Sequence, residues 1–264
     1  MTEQSPVLCD IADGIGRIRL NRPEAANGLD VDLLKELNEA ILRCHGAPDV
    51  RVVVLTGAGK NFCAGGDVKT FASKGEALPD YLREATAWLQ IATASLLRLK
   101  SPVITGVQGF AAGGGGLGLV CASDLVVAGR SARFFSGAVR VGMAPDGGAT
   151  VALAQLVGLR KALEILLTNP TLTAVDAHDI GLITEVVDDD LLATRLEELA
   201  QTVASLPPLA VSATKRLVWD GVGSSIEARL GEEARVVSAL SGTADSREGL
   251  AAVLERRVGK FVGA

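Results

Sequence analysis

The chain is predicted to fold as an α/β domain that ends in an all-helical tail, and three observations carry that prediction. Strand-like apolar runs alternate with helix-period segments over most of the chain. From about Leu191 the strand signals stop and amphipathic segments follow one another. Two glycine-rich loops, Gly57–Asp67 and Gly109–Gly118, each follow a β-branched run and each lead toward a helix.

Taken in order, Ile15-Gly-Arg-Ile-Arg-Leu20 alternates with period two, and Val50–Thr56 is a nearly unbroken apolar run, as in strands covered on both faces. Further strands are predicted at Pro102–Val107, Leu125–Ala128 and Leu182–Val187. Leu33, Leu34, Leu37, Ala40, Ile41 and Cys44 recur at the spacing of a core-facing helix, which Asp30 or Asp32 can start. A second helix is predicted from Pro79 to Leu99, where Pro79 and Asp80 suit a first turn. The tail reads as helices at Ala193–Leu206, Leu209–Trp219, Ile226–Leu240 and Arg247–Val258, with Pro207-Pro208 separating the first two. The resulting division is a core over residues 1–200 and a helical region over 201–264.

With 264 residues, 48% of them hydrophobic, the chain has the material for a sizeable core and is not a disordered one. A formal charge of −5 without any long basic run gives no footprint for nucleic acid. Residues 101–123 are uncharged and long enough to span a bilayer, but their glycine density and Pro102 fit a buried strand, a loop and a short helix. No membrane segment is expected. Met1–Pro6 lacks the basic and apolar parts of a secretion signal, so a cytoplasmic location is expected. Cys9, Cys44, Cys63 and Cys121 form no CxxC pair and only His45 and His178 are there to join them, so no metal site is expected. In a reducing compartment such cysteines pack as small apolar residues.

The glycine loops are the chemical signal. Glycine lets main chain approach a ligand closely, and the free N–H groups of a helix start favour negative charge. Two N–H groups converging on a carbonyl oxygen would stabilise an enolate. Gly113-x-Gly115-x-x-Gly118 also spells the dinucleotide fingerprint. The next strand begins too soon for a crossover helix, however, and no acidic residue ends it to hold a ribose.

Four motifs in order, Asn21-Arg-Pro-Glu-Ala-Ala-Asn27, the Gly57–Asp67 loop, Pro102–Gly109 and Gly142-Met-Ala-Pro-Asp-Gly-Gly148, resemble the crotonase superfamily of enoyl-CoA hydratases and isomerases. The resemblance covers residues 11 to about 260. It implies an α/β spiral of ββα units with a C-terminal helical trimerisation region, assembled as homotrimers or homohexamers. The implied substrate is an acyl-CoA thioester, with coenzyme A entering as part of the substrate and no separate cofactor, metal, nucleotide or flavin.

By the same resemblance one oxyanion N–H comes from the residue before the loop's aspartate, here Gly66. The second comes from the middle of a three-glycine run. This chain has four consecutive glycines, so counting forward from Gly109 selects Gly114 and counting back from Asp124 selects Gly115. Coenzyme A is expected against main chain near Ala26 and Ala64, with Arg22 toward a phosphate and Asp67 and Val68 at the end of the loop.

Hydratases of the superfamily carry two glutamates, whose positions here fall on Leu117 or Gly118 and on Ala138. None of these can move a proton. Asp146 instead stands where several isomerases keep a single base. One carboxylate suffices to take a proton from C2 and return it at C4 when the enolate is stabilised. Apolar surroundings from Met143, Ala144 and Pro145 would have to raise its basicity. From local sequence alone Asp146 also reads as the cap of a helix Gly147–Leu156.

The resemblance therefore implies a double-bond isomerase of enoyl-CoA. The alternatives are a 2-enoyl-CoA hydratase, an aryl-CoA dehalogenase-like hydrolase with Asp146 as nucleophile, and a non-catalytic CoA-ester binder. The dehalogenase branch expects a tryptophan at Ala138 and a histidine in the first half of the long helix, and both are missing. Glu76, Tyr81, Trp88, Phe134 and Phe135 are candidates for the acyl pocket, and His178 is read as structural.

Overall fold

The computed structural model describes residues 5–264. Met1–Gln4, part of the stretch read above for a secretion signal, lie outside the described residues. The chain opens with β1 (Val7–Ala12) and β2 (Ile15–Leu20), joined antiparallel so that Val7 faces Leu20 and Ala12 faces Ile15. Asp13 and Gly14 between them both take positive φ, the geometry of a tight two-residue hairpin turn.

After α1 (Val31–Gly46) the chain enters β3 (Val52–Gly57), which lies parallel to β2 with Ile15 opposite Val52. Then come α2 (Val68–Ser73), α3 (Leu78–Arg98) and β4 (Val103–Val107). Next follow β5 (Phe110–Ala112), α4 (Gly113–Cys121), β6 (Leu125–Gly129) and β7 (Arg133–Phe135). The second half holds α5 (Ala149–Val157), α6 (Leu159–Thr168), β8 (Leu172–Thr173), α7 (Ala174–Asp179) and β9 (Glu185–Val187). The tail is α8 (Leu192–Ala204), α9 (Pro208–Gly221), α10 (Ile226–Ser241) and α11 (Ala244–Glu255).

Two sheets result. Six strands run in the order β1-β2-β3-β4-β6-β9, parallel from β2 onward, and β5-β7-β8 form a small second sheet. The larger sheet is covered on both faces, which is why Val52–Leu55 is apolar without a break. Val53 and Leu55 join the main core with α1 and α3, while Val52 and Val54 pack with Ile104, Val127, Leu192, Leu196 and Ala200. Gly106 on β4 admits the Leu196 side chain, so α8 lies directly on the sheet.

That contact bears on the division at 200/201, which runs through α8. The apolar face of α8, which ends at Ala204, closes the second side of the sheet. The strand expected at Leu182–Val187 is confined to its last three residues, because Leu182 and Ile183 turn back to bond the Ala177 carbonyl of α7. Among the described residues no helix is long and apolar enough to cross a membrane.

One buried ion pair ties the tail to the core. Lys215 on α9 donates to the Leu96 and Ser101 carbonyls and lies 2.7 Å from an Asp124 carboxylate oxygen, while Trp219 Nε1 donates to the other at 2.7 Å. Asp124 also accepts from the Val103 N–H, so the start of β4 and α9 share one anchor.

Candidate active site

Gly57–Asp67 is threaded between two other backbones. On one side Phe62 N and Cys63 N donate to Gln108 and Phe110, and Cys63 accepts from Ala112 N. On the other, Ala64 N donates to Ala26, Leu29 N to Gly65, and Asp67 N to Leu29. This ladder places Gly66 opposite Leu29 with its own N–H outside the pairing, and among the described residues that N–H meets no acceptor. Gly65 has a positive φ, and a Cβ there would come within 2.6 Å of the Ala112 carbonyl oxygen, so only glycine permits the approach.

The second loop meets the first at the start of α4. A Cβ at Gly113 would lie 2.9 Å from Gly65 Cα and 3.6 Å from Gly66 N. The four glycines then step around the helix, each against a different neighbour: Gly113 against Gly65, Gly114 against Asp146, Gly115 against Leu29 and Leu89, Gly116 against the Cys63 carbonyl. No side chain caps this helix, so its first N–H groups are left without a side-chain acceptor. Gly113 and Gly114 reach the surface, whereas Gly115 is buried.

Asp146 stands at this junction. Its carboxylate sits on Gly114 Cα, where a Cβ would also come within 2.8 Å of Asp146 N. Among the described residues no side chain bonds or ion-pairs with it, and burial pushes its carboxyl above the ordinary aspartate range, offset in part by its own N–H. The capping alternative does not hold: α5 begins at Ala149, its cap is Gly148, and no side chain bonds there. Only the Asp146 main-chain carbonyl takes part, accepting from Ala149 N.

Neither hydratase glutamate position offers a proton carrier. Leu117 is in the core, a Cβ at Gly118 would stand 2.9 Å from the Gly147 carbonyl oxygen, and Ala138 opens a short 3-10 turn, Ala138–Val141. Asn169 holds that turn by accepting from Gly137 N at 2.6 Å and, through its carbonyl, from Arg140.

The expected coenzyme A residues lie together around the first loop. Ala26 has positive φ and accepts from Ala64 N at 3.0 Å, and Val68 is exposed at the first position of α2. Asp67 and Asp30 cap α2 and α1, and Arg22 pairs with both, at 3.2 and 2.6 Å, while donating to the Gly28 carbonyl. Burial alone would raise the Asp67 carboxyl, but the Thr70 N–H and hydroxyl and the Arg22 guanidinium outweigh it and hold the group below its ordinary range. Arg22 thus binds two helix starts together next to Gly66.

Two contributors were not visible in the sequence. Asn27, fully buried with positive φ, donates Nδ2 to the Ala58, Asn61 and Phe62 carbonyls and accepts from Arg22 N, which pins the first loop. Its place before a glycine signals a turn, but nothing local shows that the carbonyls it satisfies are over 30 positions away. Phe71 lays its ring on Gly66 Cα and meets Tyr81 edge-on, with centroids 6.0 Å apart. Of the other pocket candidates, Phe134 is core, Phe135 packs on Phe110, Trp88 packs against the core under Lys35, and Glu76 is exposed. His178 is half-exposed beside Asp179.

Residues 10–264 match the family model described as enoyl-CoA hydratase/isomerase. The chain is 32% identical to a 1,2-epoxyphenylacetyl-CoA isomerase of Escherichia coli, covering 97% of this chain and 98% of that one. It is 34% identical to an (E)-benzylidenesuccinyl-CoA hydratase of Thauera aromatica, covering 98% and 100%. Among solved structures, an enoyl-CoA hydratase from Bacillus anthracis superposes with a TM-score of 0.93 at 32% identity, covering 98% of this chain and all of that one. An isomerase and a hydratase are thus about equally similar, and overall identity does not choose between the two reactions.

Proposed function

The chain belongs to the enoyl-CoA hydratase/isomerase family, whose enzymes act on acyl-CoA thioesters, and on that premise we propose that it moves the double bond of an enoyl-CoA through a thioester enolate. The observation that carries this reading is the Asp146 carboxylate, seated on Gly114 at the start of α4 with no partner among the described residues beyond its own N–H. The Gly66 N–H and the Gly114 N–H hold the thioester oxygen as negative charge develops on it. Gly114 is preferred over Gly115 because it reaches the surface next to Asp146, whereas Gly115 faces Leu29 and Leu89 in the core.

Asp146 takes a proton from C2 and, as its conjugate acid, returns it at C4. Partial desolvation favours both halves: it makes the carboxylate a stronger base and removes water that would quench the enolate. The pantetheine and nucleotide arms run over Ala26, Ala64 and Val68, with Arg22 and Asp67 shaping that edge. The exposed apolar residues Leu250, Val253 and Leu254 on α11 supply a face for assembly into trimers or hexamers, which sedimentation equilibrium tests directly.

The deciding experiment incubates the protein with 3-enoyl-CoA and with 2-enoyl-CoA in deuterated water. Isomerisation with no 3-hydroxyacyl product is the expected result, with deuterium entering at C4 and C2 to the extent that the Asp146 proton exchanges with solvent between the two steps. Steady accumulation of 3-hydroxyacyl-CoA would replace this reading with hydration.

A further inference from the structure

Away from the acyl-CoA site, Cys9 on β1 and Cys44 on α1 bring their sulfurs to 4.0 Å, and all four cysteines are free. Cys9 is half-buried on the edge strand of the larger sheet. Arg43, one position before Cys44, donates to the Cys9 carbonyl at 3.2 Å and so lies over the same spot. Cys44 is buried beneath it. A Cβ at Gly16 would stand 2.7 Å from Cys44 Sγ, so glycine in β2 leaves this thiol its room.

We propose that Cys9 and Cys44 form a two-thiol oxidation site, in which Cys9 is the nucleophile toward hydroperoxides, Cys44 is the resolving thiol, and a reversible disulfide ties β1 to α1. The surroundings of the two sulfurs give them these different roles. Either sulfur can donate across this contact; with Cys44 as donor, its S–H and Arg43 outweigh burial and Asp10 and bring Cys9 down to about 7, while the same hydrogen bond and burial push Cys44 up. Cys63 and Cys121 are fully buried without a second thiol in reach, and burial pushes both up to about 12.

In the first step the Cys9 thiolate attacks one peroxide oxygen. The O–O bond breaks, the alkoxide or hydroxide leaves and takes a proton from solvent, and Cys9 becomes a sulfenic acid. In the second, the Cys44 sulfur attacks the Cys9 sulfur. The S–O bond breaks, the departing hydroxide takes the Cys44 proton as water, and the disulfide forms. The two sulfurs give up two electrons in total, which reduce the peroxide. The sulfurs must close to about 2.05 Å. Side-chain rotation and a small inward shift of β1, which has β2 as its sole strand neighbour, supply this movement.

The test exposes the full chain to hydrogen peroxide and counts thiols after denaturation. The free thiols should fall from four to two, the mass should drop by two hydrogens, a peptide map should join the Cys9 and Cys44 fragments, and dithiothreitol should reverse all three. In Cys44→Ser, dimedone should trap a sulfenic acid at Cys9. In Cys9→Ser, Cys44 should stay reduced at the same dose. With limiting iodoacetamide at neutral pH, Cys9 should label at least ~10-fold faster than the other three. Four surviving thiols, a disulfide between a different pair, or oxidation of Cys9→Ser at the parent rate would overturn the assignment.

Discussion

Replacing Asp146 by asparagine separates the catalytic role of this residue from any structural one, because the two predict different changes in rate and in stability. Asparagine keeps the shape and an oxygen acceptor for the residue's own N–H but cannot take a proton. Since no other described side chain bonds the carboxylate, no second acid or base is at hand to replace it. The rate of C2–deuterium exchange on a saturated acyl-CoA should fall by about 10²–10⁴, or roughly 3–5 kcal/mol of transition-state stabilisation. Binding of the thioester, followed by calorimetry, should stay within about threefold, since binding rests on other groups. Stability should move the other way. Burial raises the carboxyl's proton affinity in the folded chain, so the ionised form disfavours folding at every pH above the ordinary aspartate range. Removing that charge should raise the unfolding free energy slightly, by less than about 1 kcal/mol for so partial a desolvation, seen as a small rise in the urea midpoint. Asp146→Ala should likewise lose nothing, whereas deleting a true helix cap costs about 1 kcal/mol. Exchange by Asp146→Asn within about tenfold of the parent would refute the base assignment.

The pH profile of exchange should climb along a single limb and flatten, with a midpoint above the ordinary aspartate value of about 3.9, because only the ionised carboxylate accepts a proton. A midpoint at or below that value would contradict the desolvation argument. Asn27→Ala should cost about 3–5 kcal/mol in urea unfolding, as it strands three carbonyls and puts alanine at positive φ. Lys215→Met should cost a similar ~3–5 kcal/mol, because the half-buried Asp124 carboxylate loses its counter-charge while α9 loses its anchor. Gly118→Glu, which writes a hydratase residue back into α4, should yield no hydratase and should lower exchange at least ~10-fold, since any side chain there meets the Gly147 main chain. A gain of 3-hydroxyacyl-CoA formation in that variant would show that the site tolerates both arrangements.

How much of this was legible in the sequence depended on whether the signal was local. β2 coincides with its period-two pattern residue for residue, and of the two aspartates offered as the start of α1 it is Asp30 that caps it, by accepting from Leu33 N. The glycine loops announced a close approach of backbones, and Gly65 against Ala112 is that approach. β5, β7 and β8 escaped notice because two or three residues are too few to show a period. β1 was missed although Asp13-Gly14 is a hairpin signal, since Val7–Ala12 alternates imperfectly. The double pairing of Arg22, the reach of Asn27 and the position of Phe71 over Gly66 depend on tertiary neighbours, and nothing in the flanking residues could have placed them.

The packing around Asp146 bears on the proposal that a single acid works here. Gly114 and Gly118 are one turn apart on the same face of α4, and the Asp146-Gly147 turn lies directly on that face. A Cβ at the first would strike the Asp146 carboxylate, and one at the second would stand 2.9 Å from the Gly147 carbonyl oxygen. The other counting of the glycine run puts the hydratase glutamate at Leu117, which points into the core. A side chain at Gly118 would therefore meet the Gly147 main chain of the turn that carries Asp146. On the proposed reading, the absence of a side chain at Gly114 and Gly118 is what lets the 145–148 turn lie against the start of α4. If Asp146 is the single base, the bare face of α4 at Gly114 and Gly118 is the room that it and Gly147 need.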